Sequence, residues 1–122
     1  MNRGAGALGA LVLLCVSVEP VTAQDRAPAA RQALVDLANV LGQSHAIRQA
    51  CSKKKDFTWR DRMERLLRVE AADQALRNRL VNAFNDGFGS AQASYPACGE
   101  KAKADAARLA QRGEALAGQL GQ

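Results

Sequence analysis

The sequence predicts an all-α fold: a small four-helix bundle with a short second helix. Three observations lead there. Apolar residues make up 48% of the chain but aromatics only 4%, so the apolar content is mostly Ala, Leu and Val, a mix that favours helices over sheets. Apolar positions recur at spacings of three and four in four separate segments, and no segment reads as a strand. Two cysteines remain once an N-terminal leader is set aside, enough for one staple. A chain of 122 residues has room for a single domain.

The leader comes first. "MNR" gives a positive start, "GAGALGALVLLCVSV" an apolar run, and "EPVTAQ" small residues at Val21 and Ala23, as before a signal-peptidase cut. The uncharged run Gly4 to Val18 is about 15 residues, short of the ~20 that span a bilayer. The expected organisation is a signal peptide over 1–23, cleaved near Ala23, and one helical domain over 24–122. A retained anchor and a lipid anchor at Cys15 are the alternatives. Bulky Leu14 stands against the second. With the leader gone, no stable membrane span is expected, and the expected location is the periplasm.

Helix one is expected over about 28–50. Pro28 suits its first turn, where the missing N–H had no partner anyway. Ala33, Leu37, Val40, Ser44, Ile47 and Cys51 form its stripe, widened by Leu34 and Leu41, which places Cys51 at the end and on the inner side. "SKKKDF" interrupts as a charged loop. Helix two is expected over about 58–70, with Thr58 as N-cap, Asp61 completing a box-like pattern, and Trp59, Met63, Leu66 and Leu67 buried.

Asp73 is expected to cap helix three, over about 73–95. Its inner face would run through Leu76, Leu80, Val81, Phe84, Phe88, Ala91, Tyr95 and Cys98. Gly87 and Gly89 weaken its middle by about 1 kcal/mol each against Ala, and Pro96 ends it. Helix four, over about 100–120, carries Ala102, Ala106, Leu109, Gly113, Leu116 and Leu120 on one face. That face is small enough to let a neighbour approach closely, within the monomer or from a second copy. The oligomeric state stays open.

Cys51 and Cys98 have one possible intramolecular connectivity, and an even cysteine count in an exported domain implies a disulfide. The loop it closes is nearly fifty residues, which corresponds to roughly 4 kcal/mol in the chain-entropy model.

His45, the only histidine, is six residues from Cys51, about 9 Å of helical rise, whereas a nucleophilic dyad needs hydrogen-bond reach. Structural zinc wants four ligands, and Cys51, Cys98 and His45 are three with no close spacing. No C-x-x-C or C-x-x-C-H motif is present. The sequence therefore points to no catalytic residue, no metal and no cofactor. His45 is expected half-buried, with its ring against the bundle and its nitrogens bonded to a neighbour.

Charge is concentrated. Between residues 53 and 79 nine basic residues face five acidic ones, a net +4 of the total +5. Lys53, Lys54, Lys55, Arg62, Arg65 and Arg68 are the candidate partner-binding residues. An exported protein has no nucleic acid to meet, so an anionic envelope polymer or the acidic face of an envelope protein is the expected partner. The alternative is an ordinary solvated face neutralised by the i,i+4 pairs Asp61–Arg65 and Glu64–Arg68.

"LANVLGQSHAIRQAC", "TWRDRMERLLRVE" and "LVNAFNDGFGSAQASYPAC" resemble segments of a family of small exported alphaproteobacterial proteins of unknown function with two well-separated cysteines. The resemblance covers about 35–98 and extends to the last helix. Its marks are Leu41-Gly42 through His45 and Arg48 to Cys51, Trp59, and Ala83 to Gly87. It implies the location and the fold and brings no activity. Two function classes remain. One is a non-catalytic binding or structural module using the basic face. The other is a small-molecule-binding protein or enzyme using polar groups around Ser44, His45, Arg48 and Asn85.

Overall fold

The computed structural model describes residues 26–121, so the leader and its cleavage site lie outside the described residues. Four helices follow in order: α1 Pro28–Cys51, α2 Thr58–Glu70, α3 Gln74–Ser94 and α4 Glu100–Leu120. No strand occurs among the described residues. The all-α architecture with a short second helix is the one its periodicity predicts.

Local chemistry starts and stops each helix. Pro28 opens the first turn of α1. Asp73 caps α3 as expected, its Oδ1 accepting the Leu76 N–H at 2.8 Å. Thr58 does not cap α2. It is the first helical residue, the N-cap position falls on Phe57, and Asp56 Oδ1 accepts the Thr58 N–H at 3.0 Å. The carboxylate two residues upstream therefore serves in place of the expected threonine hydroxyl. α2 stops at Ala71, which turns left-handed with φ 45°.

The helices do not form a square. α1 is the hub: α3 lies against it most extensively, then α4, then α2, while α2, α3 and α4 touch one another little. This explains a burial pattern wider than one stripe. Ala38, Gly42, His45 and Ala46 are buried on α1 alongside the expected Leu34, Leu37, Val40 and Ile47. A helix covered from three sides has no solvated back over its middle turns.

The α1–α3 crossing is a backbone contact. A Cβ on Gly42 would stand 2.0 Å from the Phe84 carbonyl oxygen, and one on Gly87 would stand 2.3 Å from that of Asn39. Only glycine fits at such separations. Asn39 Nδ2 donates to the Ala83 carbonyl at 3.1 Å, stitching the same crossing. The inner row of α3 is accordingly Leu76, Leu80, Ala83, Gly87 and Ala91. Val81, Phe84, Phe88 and Tyr95, expected on the inner face, flank it half-buried. In α2, Met63 and Leu67 are buried but Trp59 and Leu66 only half so.

Two ties close the ends. Cys51 and Cys98 form the expected disulfide, Cα–Cα 4.7 Å, across a sequence separation of 47. Both cysteines are solvent-exposed, so the bond caps the end of α1 from outside and does not occupy its inner side. At the opposite end, Arg26 holds Glu70 through Nε at 2.9 Å and a second guanidinium nitrogen at 3.2 Å. It also donates to the Leu120 carbonyl at 2.7 Å. Glu70 is 5% exposed, so one arginine joins the ends of α2 and α4 to the start of α1.

Candidate functional site

The candidate polar residues on α1 fall on two different sides of it. His45 faces α3. Its ring is tilted against Phe84, 5.9 Å between centroids, and Phe88, 5.4 Å. It is 8% exposed, more buried than expected, and Nδ1 has no protein partner. The expected hydrogen bond at that nitrogen is absent, and the phenyl rings of Phe84 and Phe88 beside the imidazole carry no hydrogen-bonding group. Burial holds the imidazole below its usual pKa; the Arg60 guanidinium adds to this and Asp56 opposes it. A neutral ring between two phenyls suits packing.

Ser44 and Arg48 lie one turn apart on the side of α1 that meets α4, where both line a surface groove of about 350 Å³. Asn85 is exposed on α3 and does not line that groove. The four residues thus do not converge: Ser44 and Arg48 share a groove, His45 packs elsewhere, and Asn85 faces solvent. Among the described residues, no three His, Cys, Asp or Glu side chains gather as metal ligands would.

The basic residues are better organised. Arg62, Arg65 and Arg68 project from one exposed face of α2 and, with Thr58 and Asp61, line a shallow surface depression of about 360 Å³. The pairs expected to neutralise them do not form. Glu64 binds Arg60 instead, at 3.5 Å, and no ion pair among the described residues uses Arg62, Arg65 or Arg68. The Arg62 guanidinium lies 4.6 Å over the Trp59 ring, which orders it without cancelling its charge. Lys53, Lys54 and Lys55 are exposed in the α1–α2 loop. That loop is itself anchored, by Arg48 Nε donating to Asp56 at 2.7 Å and Gln49 to the Asp56 carbonyl at 2.9 Å. The Arg48 and Thr58 bonds hold the Asp56 carboxyl well below the usual carboxylate range.

Residues 30–122 match the family model described as "Protein of unknown function (DUF2385)". The chain belongs to this family. No curated protein and no solved structure matches it. The stretch of the DUF2385 chain that matches takes in nearly all of α1 and the whole of α2, α3 and α4, with both halves of the disulfide and the arginine face.

Two features of this DUF2385 protein escape its periodicity. The spacing places Trp59 in the core, yet the residue stands at the edge of α2 over the α1–α4 groove. Lys103 is one charge among several on α4, and its position at the same groove is set by how α4 meets α1. The small side chains of α4 are the available signal, since a face of alanine and glycine opposite a tryptophan leaves unfilled space.

Proposed function

We propose that this chain is an exported, non-catalytic binding module whose arginine face on α2 contacts an anionic component of the cell envelope, protein or polymer. One observation carries the reading: Arg62, Arg65 and Arg68 share an exposed face and, among the described residues, have no acidic partner within ion-pair distance. Guanidinium groups so placed present free donor forks to carboxylates or phosphates. Lys53, Lys54 and Lys55 extend the positive surface at the N-terminal end of α2.

Export is supported by the apolar leader and by an exposed disulfide, of a kind that persists in oxidising compartments. Among the described residues no helix is long and apolar enough to cross a membrane. The absence of catalysis is supported by the separation of His45 and Asn85 from Ser44 and Arg48 described above.

The test is cross-linking of the tagged protein in its own cells, read by mass spectrometry, with Arg62, Arg65 and Arg68 together reversed to Glu. The expected result is capture of one dominant envelope component, lost in the triple variant while its helical circular dichroism is unchanged. Equal capture by the variant sinks the reading.

A further inference from the structure

A second surface, which meets the arginine face at Arg62, has the character of a ligand groove. It runs between α1 and α4 under the first turn of α2. One stretch of about 200 Å³ is lined by Leu37, Leu41, Leu109 and Gly113, with Arg62 and Glu114 at its rim. The other, of about 350 Å³, is lined by Ile47, Ala106 and the Cys51 end of the disulfide, with Ser44, Arg48 and Lys103. Trp59 and Ala110 line both stretches, so the two adjoin at the indole and lie end to end as a trough along α4. From Lys103 to Ala117 it follows about 21 Å of α4.

The trough is polarised. At the Leu37 end the two rim charges, Arg62 and Glu114, are of opposite sign. At the disulfide end the charged liners are Arg48 and Lys103, both cationic, with no acidic residue among the lining groups. Asp56 takes the Nε of Arg48 at 2.7 Å, and no hydrogen bond among the described residues engages its two terminal nitrogens. Glu100 reaches Lys103 only at 3.7 Å, from a side chain 96% exposed, a weak pair. Ser44 is also among the residues of this stretch, 4% exposed, with its hydroxyl buried out of reach of a ligand.

We propose that this trough binds a single-chain anionic amphiphile, with its carboxylate between Arg48 and Lys103 and its aliphatic chain along the groove beneath Trp59. The chain removes from water the apolar walls that α2 leaves uncovered because it scarcely touches α4. The head-group end at Arg48 and Lys103 shares no residue with the arginine face, so the two readings fail independently.

Trp59 is the only tryptophan, so its emission reports the trough directly. The experiment titrates the purified protein with dodecanoate below its micelle concentration. Dodecyltrimethylammonium serves as the head-group control and acetate as the chainless one. Dodecanoate should give a saturable change in Trp59 emission, and both controls should bind at least tenfold more weakly. Lys103→Glu, an exposed change, should weaken dodecanoate about tenfold, the worth of one charge-assisted contact. Ala110→Leu, which fills the trough where the two stretches adjoin, should abolish the response at unchanged helicity, and Arg65→Glu should leave it intact. Equal response to the cationic amphiphile, or dodecanoate binding indifferent to Lys103→Glu, overturns the proposal.

Discussion

Gly42→Ala and Gly113→Ala are the same substitution in helix interiors, and the structure predicts opposite signs for them. By propensity alone each stabilises by up to about 1 kcal/mol, partly by restricting the unfolded chain. At Gly42 the new Cβ would meet the Phe84 carbonyl oxygen at 2.0 Å, its carbon at 2.8 Å and the Phe88 nitrogen at 3.0 Å. Ordinary contact begins near 3.4 Å, so one backbone must retreat by about 1.4 Å, and every obstacle is main chain that no rotamer change can move. Retreat also loosens the Asn39 bond to Ala83. Overpacking of this kind costs about 1–3 kcal/mol and occasionally more. With a rigid obstacle we place the net loss for Gly42→Ala at about 2 kcal/mol after the propensity gain. At Gly113 the nearest atom is Val40 Cγ1 at 3.6 Å, an ordinary van der Waals distance, so the propensity gain survives. For a domain of this size about 2 kcal/mol lowers Tm by roughly 10 °C, and the Gly113 variant should rise by a few degrees. Thermal unfolding followed at 222 nm measures both. A Gly42→Ala protein melting at or above the parent would refute the close crossing.

Three further outcomes follow from the packing. Arg26→Ala should destabilise by about 3 kcal/mol in urea unfolding, because it strands a carboxylate buried at the C-terminal end of α2, where the helix dipole also opposes it. A loss under 1 kcal/mol would show the pair to be a loose surface contact. Reduction of the Cys51–Cys98 bond, or Cys51→Ser with Cys98→Ser, should cost roughly 4 kcal/mol, read as the shift in urea midpoint with and without reductant. His45 has its pKa lowered in the folded state from an ordinary 6.5, so the unfolded chain binds the proton more readily. Its contribution to stability is therefore full above pH 6.5 and is lost as pH falls through the folded value. Between pH 7.5 and 5 the parent should lose stability that His45→Phe, which keeps a ring against Phe84 and Phe88, does not; parallel losses would remove His45 as the cause.

Part of the candidate site is legible in the chain's spacing. The absence of a Cys-His dyad follows from helical rise, and the clustering of Arg62, Arg65 and Arg68 from their three-residue steps. Their lack of partners is not legible. Glu64 can reach Arg60 or Arg68 with equal spacing, and which one it takes depends on what else each arginine touches. The parting of Ser44 from His45 is hidden for a related reason: neighbours on one helix diverge by about 100° per residue, so adjacency in sequence places them against different helices.

Four helices, their order, the Asp73 cap, the cysteine pair and the basic second helix all follow from the linear pattern, because each depends on local spacing or on counting. Only the packed molecule makes α1 central and turns two glycines, weak points by propensity, into the contact surface of α1 with α3. Packing likewise buries Glu70 against Arg26 and leaves Trp59 overhanging a groove it does not fill. These outcomes depend on which faces meet and how closely, and a one-dimensional pattern carries the existence of an apolar face but not the identity of what covers it.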